Sequence, residues 1–222
     1  MDAEAAAALS AVGDADMLLM DGSLVPQPGD RPDEESDLFD RYEAVMADYR
    51  ELYARAEAED TALVGVVEDA RSARFCRFLD EAGMDADAVS GGRDTVLLHH
   101  VLEPGERTCT VPYAAEPTPV LRDLEAGDSV YVFYLRTSRK DRPVRIEFYA
   151  AGEPGGRADA VASRVLSLCG SENAYGLPPV LLEADQRAAL SRNEVEVVTK
   201  RIRTRLAHLP GTEELRRDRR PF

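Results

Sequence analysis

Asp21 closes a short apolar run, MLLM at 17–20, and opens the turn Asp21-Gly22-Ser23. A carboxylate at the end of a buried strand is fixed by that strand and can offer hard oxygens to a divalent cation. A glycine beside it lets a phosphate backbone approach closely. The same tripeptide is also a common turn in which aspartate bonds its own backbone two residues on. Glu4 lies seventeen residues earlier, on an alanine-rich stretch. It joins the same chemistry only if its helix packs against the strand end and aims it at Asp21; otherwise it is a solvated side chain. Glu147, inside VRIEFY at 144–149, is a mid-strand carboxylate. It either faces solvent, serves an active site, or is paired, for example with Arg145 across an edge.

Basic residues cluster at the end of the chain. Residues 200–222 hold Lys200, Arg201, Arg203, Arg205, Arg216, Arg217, Arg219 and Arg220 against three acids. Such a stretch can track a phosphate backbone, offset local acidity, or dock on an acidic partner. His99, His100 and His208 have no metal-ligand spacing, and the adjacent pair cannot share a helix face. Cys76, Cys109 and Cys169 are too dispersed for a metal motif or a disulfide framework, and are read as small apolar residues in a reducing compartment. Neither a phosphate-loop motif nor a dinucleotide-binding glycine fingerprint is present, which argues against an ATPase or a dehydrogenase.

The elements that must hold these residues alternate. Residues 2–11 favour helix by propensity, and 17–20 a strand. Residues 26–37, with three prolines and many acids, read as an exposed loop. Leu38, Tyr42, Val45, Tyr49, Leu52 and Tyr53 recur at helical spacing, so 38–57 is an amphipathic helix. ALVGVV at 62–67 is a buried strand, followed by a helix over 72–82 that stops near Gly83. A helix over 94–102 takes Asp94 as its N-cap. Strands are expected at 108–113, 129–136 and 143–150, the last two forming a hairpin about Ser138–Asp141. Helices follow at 157–169 and across 179–207, broken near Ser191. The fold class is α/β, a mixed central sheet flanked by helices.

Composition narrows the setting. The chain has 222 residues, 44% of them hydrophobic, and a net charge of −15. Residues 1–60 carry seventeen acids against four arginines, and Lys140 and Lys200 are the only lysines. Such a surface stays soluble in strong salt, where repulsion is screened within about 3 Å. This suggests a halophilic source, with a mesophilic acidic protein as the alternative. Bulk charge disfavours nucleic acid, but does not exclude a local basic groove or binding in high salt. No apolar run is long enough for a membrane span, and the acidic start is unlike a signal peptide. A cytoplasmic protein is expected.

Five segments occur in an order that resembles a known family: MLLMDGSLVP (17–26), ALVGVVEDARSARFCRFL (62–79), RDTVLLHHVLEPGERTCTVPY (93–113), VYVFYLRTSRKDRPVRIEFY (130–149) and YGLPPVLLEADQRAALSRNEVE (175–196). Together they are similar to the second half of a NurA-type DNA-repair nuclease, over nearly the whole chain. The resemblance implies a ribonuclease H-like core, here without its first strand. It implies a manganese-dependent nuclease (with Mg2+ as a possible substitute) that trims DNA ends in double-strand break repair. It also implies a homodimer and a HerA-type hexameric translocase as partner. Two ions about 4 Å apart would stabilise the entering and leaving oxygens at phosphorus.

Carried over by residue, Asp21 matches the later aspartate of the family and Glu4 the glutamate before it. The family's first aspartate has no counterpart in this sequence. The family's tyrosine and, eight residues later, its histidine fall on Leu177 and Asp185, with Tyr175 shifted by two. Asp185 is thus a metal-ligand candidate or a cap of the following helix. Arg107, in the Pro-Gly-Glu-Arg turn, is a candidate phosphate contact or an ion-pair partner of the acidic surface. Arg201 and Arg205 are the further DNA-binding candidates.

Residues 1–209 are expected to form an N-terminally incomplete nuclease domain and 210–222 a loose basic tail. With one carboxylate missing, metal affinity should fall and the chain should be weakly active or inactive. The alternatives are a non-catalytic adaptor that keeps the dimer or translocase surface, and a start codon assigned too far downstream.

Overall fold

A computed structural model describes residues 2–26, 31–68, 72–84, 93–114, 118–126, 128–169, 176–189 and 191–206; the side chains of 2–4, 192 and 206 are not described. The chain divides into two compact units, Met1–Leu181 and Leu182–Phe222.

The first unit opens with α1 (Asp2–Ala11) and β1 (Met17–Asp21), followed by α2 (Phe39–Ala58) and β2 (Ala62–Val67). It continues with α3 (Arg74–Glu81), α4 (Asp94–Val101), β3 (Val111–Pro112), α5 (Pro119–Asp123), the hairpin β4 (Val130–Leu135) and β5 (Val144–Tyr149), and α6 (Pro154–Cys169). α7 (Pro179–Ala188) leads to α8 (Arg192–Leu206) in the second unit. The strands form one mixed sheet in the order β1-β2-β5-β4-β3. β1 and β2 are parallel and every other pair is antiparallel. A parallel pair needs a long crossover, and α2 supplies it.

Both faces of the sheet are covered, and period-two alternation sorts the side chains. Leu63, Val130, Val132 and Tyr134 join α1 and α2 in one core. The alternate positions Val64, Val66, Phe133, Ile146 and Phe148 are also buried, on the opposite face, where α6 packs across β2 and β4. α2 buries Tyr42, Val45, Met46, Tyr49, Leu52, Tyr53 and Ala56, the apolar stripe its spacing predicts. Each large side chain so buried contributes about 1.5–3 kcal/mol. Leu38, expected to begin that stripe, sits at the N-cap and is 58% exposed.

Two further expectations are corrected, and one helix was not expected. Asp94 is the first residue inside α4, not its cap; its carboxylate accepts the amides of Phe75 and Cys76 at 3.1 and 3.0 Å and caps α3 instead. The strand expected over 108–113 shrinks to Val111–Pro112 plus a bridge between Arg107 and Leu135. The short α5 was not foreseen, although Thr118 caps it through the amide of Leu121 and Pro119 follows at its first position. No helix among the described residues is long and apolar enough to cross a membrane.

Candidate active site

β1 carries Asp21 to the edge of the sheet, opposite Val66, with its side chain exposed. The amide of Gly22 then donates to the carbonyl of Val66 at 2.9 Å. Gly22 has φ +113°, a conformation that a side chain would strain. The chain next folds over Gly65, where an added Cβ would lie 2.6 Å from the carbonyl oxygen of Gly22. The turn therefore needs glycine on both strands.

Two buried side chains hold the turn in place. Glu147 Oε2 accepts the Ser23 hydroxyl at 2.8 Å and the Leu24 amide at 2.9 Å. Tyr53 donates its hydroxyl to the Leu24 carbonyl at 2.7 Å, and burial pushes its pKa well up, so it stays a donor. Glu147 is fully buried. It sits opposite Gly65 on β2 and Val132 on β4, whereas Asp21 aligns with Val66 and hence Ile146. By that register Glu147 and Asp21 point to opposite faces of the sheet.

Glu147 is paired, as one sequence alternative had it, but within its own strand. Its Oε1 lies 2.7 Å from Arg145 Nη2, two residues away on the same face. This is a charge contact rather than an aligned hydrogen bond, since neither Glu147 Oε1 nor the buried Arg145 Nε has a hydrogen-bond partner among the described residues. Arg145 Nη1 reaches Ser72 Oγ at 3.3 Å, Ser72 Oγ meets Tyr134 Oη at 2.9 Å, and Tyr134 donates to Asp94 at 2.6 Å. Burial first, and then Asp94, raise the Tyr134 pKa and keep its proton in place. A line of polar groups thus runs through the core from the Asp21 turn to the start of α3. Neither sequence periodicity nor motif spacing pointed to it.

The other sequence candidates are placed as follows. Glu4 lies on α1, and its side chain is outside the described residues. Among the described residues no three His, Cys, Asp or Glu side chains cluster as a metal site. Asp21 offers an exposed hard-oxygen donor at the end of β1, a chemistry that suits a hard divalent ion. Arg107 donates to Asp159 from Nε and Nη2 at 3.1 and 2.6 Å, with its guanidinium 5.5 Å from the Phe133 ring. That is the ion-pair alternative of the two left open. Asp185 is exposed inside α7, and Arg201 and Arg205 are exposed on α8, all three in the second unit. Asp185 does not cap α8. Ser191 does, accepting the Glu194 amide at 3.3 Å while Glu194 accepts the Ser191 amide at 2.8 Å, a reciprocal capping box.

A cleft of about 680 Å³ opens between α3 and β3. Its walls include Ser72, Arg74, Arg77, Phe78 and Tyr113. The Arg74 guanidinium stacks 4.0 Å over the Tyr113 ring and donates to the Tyr113 carbonyl. The Tyr113 hydroxyl lies 3.5 Å from Ser23 Oγ, so this wall abuts the Asp21 turn.

Comparison with known proteins adds two findings. The family model described as "NurA domain" matches residues 1–190. The crystal structure of the NurA nuclease from Sulfolobus solfataricus superposes with a TM-score of 0.60 at 18% identity, covering 93% of this chain and 65% of that one. At that identity the likeness shows a shared fold, and the chain spans less than two thirds of the relative's length. No curated protein matches.

Proposed function

Because the chain belongs to the NurA-domain family, we propose that it is a nuclease module that hydrolyses DNA phosphodiester bonds at the Asp21 turn. The observation that carries this reading is the clamping of that turn. Glu147 and Tyr53 fix Ser23 and Leu24 from within the core, and leave the Asp21 carboxylate exposed at the strand end. A solvent-facing carboxylate beside a backbone turn held in this way can take a cation without reorganising the chain.

In this reading Asp21 and Glu4 hold Mn2+, with Mg2+ as a substitute, and Asp185 is a further candidate ligand. A bound divalent ion supplies positive charge that lowers the pKa of water and stabilises the oxygens at phosphorus. The protein's own share is to fix Asp21, to keep Glu147 away from the ion by committing it to Ser23, Leu24 and Arg145, and to present cations to the DNA backbone. Arg107, Arg201 and Arg205 are the cations the sequence nominates; Arg107 would first have to exchange Asp159 for a phosphate. We further place the protein in the cytoplasm, as a homodimer that works with a HerA-type hexameric translocase in DNA end resection. The acidic surface fits a halophilic setting.

The test is a manganese-dependent digestion of single- and double-stranded DNA in high salt, with Asp21→Ala run beside the parent. Weak release of nucleotides that needs Mn2+ and disappears in Asp21→Ala is expected. Cleavage that survives Asp21→Ala would overturn the assignment.

A further inference from the structure

The cleft between α3 and β3 is not explained by a metal held at Asp21. Its lining concentrates positive charge in a protein whose net charge is −15. Arg74 and Arg77 are three residues apart on α3 and so share a helix face. Arg74 is held by its stacking on Tyr113 and its bond to the Tyr113 carbonyl. Its Nε is buried and has no hydrogen-bond partner among the described residues. Arg77 is exposed. Glu81 also lines the cleft, yet neither arginine forms an ion pair among the described residues. Phe78 adds an aromatic face that is 37% exposed beside these cations.

A fixed guanidinium and an exposed one beside an open aromatic ring recognise a particular ligand chemistry. Arginine forks match phosphate oxygens, and aromatic faces stack on bases without regard to sequence. Tyr113 ties this wall to the reacting end of the sheet, since its hydroxyl approaches Ser23, two residues beyond Asp21. We propose that the cleft is a phosphodiester subsite for a single nucleic-acid strand. Arg74 is its fixed cation, Arg77 its solvent-side cation, and Phe78 a stacking surface. The proposal rests on the nuclease reading for the identity of its ligand, but its test does not depend on cleavage.

The probe is a fluorescent oligothymidylate, titrated in EDTA against the full chain carrying Asp21→Asn, so that no cleavage intervenes. Arg77→Ala and Arg77→Glu are compared on that background. Arg77 is exposed, and matched melting curves establish that the variants fold. We expect Arg77→Ala to weaken binding about fivefold and Arg77→Glu more, and the slope of log affinity against log salt to shrink by about 0.7, the loss of one phosphate contact on a single strand. Arg142→Ala, which removes an exposed cation outside the cleft lining, should change affinity less than about twofold, as expected for a charge that touches no phosphate.

Absence of oligonucleotide binding by the parent would overturn the proposal. So would Arg77 variants that bind like the parent with an unchanged salt slope, or an Arg142→Ala loss equal to that of Arg77→Ala. Equal competition by a polyglutamate peptide would overturn the assignment to phosphodiesters. Binding that depends on Arg77 in a chain with no Asp21-dependent cleavage would sink the nuclease reading and leave the cleft standing; the converse result would do the reverse.

Discussion

The fully buried carboxylate of Glu147 accepts the hydroxyl of Ser23 at 2.8 Å, across 124 residues of sequence. The same oxygen takes the Leu24 amide, so a charge in the core sets the path of the chain just after Asp21. An isolated buried charge is costly, and Arg145 at 2.7 Å compensates it.

Glu147→Gln should therefore lower unfolding free energy by about 3 kcal/mol, because it leaves Arg145 buried and unpaired. Ser23→Ala removes one hydrogen bond to the same carboxylate and should cost about 1–2 kcal/mol. Urea denaturation of the two variants and of the double variant checks this. Strict additivity would show that the two residues are not coupled.

Gly65→Ala should be more damaging than its size suggests. The new methyl group would meet the Gly22 carbonyl oxygen at 2.6 Å, and backbone cannot step aside as a flexible side chain can. A loss of about 1–3 kcal/mol is expected from overpacking, together with a rise in the Mn2+ concentration needed for half-maximal cleavage. Parent-like stability and metal dependence would show that the turn tolerates displacement.

The thiols should separate by reactivity. Burial, and next the nearby Asp94, push Cys76 up to about 11; burial alone pushes Cys169 up to about 11. Cys109 is exposed. The thiolate is the nucleophile, so iodoacetamide at neutral pH should label Cys109 first, as read by peptide mass spectrometry. Both buried thiols hold their protons more tightly folded than unfolded. Their contribution to stability is present below 9.0 and is lost as pH rises through about 11. Melting temperature should fall across that window, and less so in a Cys76→Ala, Cys169→Ala variant.

The net charge of −15 predicts stabilisation by salt. Raising ionic strength from 0.1 to 1 M shortens the screening length from about 10 Å to about 3 Å and damps repulsion among the acids. Melting temperature should climb steadily in NaCl. A flat or falling curve would remove the halophilic expectation.

What the sequence revealed follows from the range of the interactions involved. α2, β2 and the β4–β5 hairpin were legible because their signals are local: periodic apolar residues, a valine run, and a polar turn between alternating strands. α5 was missed because five residues are too few for a period, although Thr118 followed by Pro119 carried the helix-start signal. Asp94 was assigned to its own helix because capping was sought locally, whereas its carboxylate reaches back 18 and 19 residues to α3. Arg107 finds Asp159 across 52 residues, and no spacing rule spans that distance. At the candidate site Asp21 was visible as the end of an apolar strand, but the residues that hold its turn were not. For Glu147 the pairing with Arg145 was among the alternatives, but its bonds to Ser23 and Leu24, 124 and 123 residues away, were not.

The separation between Leu24 and Glu147 also sets an order of events during synthesis. Closing so long a loop carries an entropic cost that only the assembled sheet repays. A ribosome-bound chain that has not yet reached β5 lacks the carboxylate that shapes the Asp21 turn, so the turn takes its final form only after residue 147 has joined the sheet.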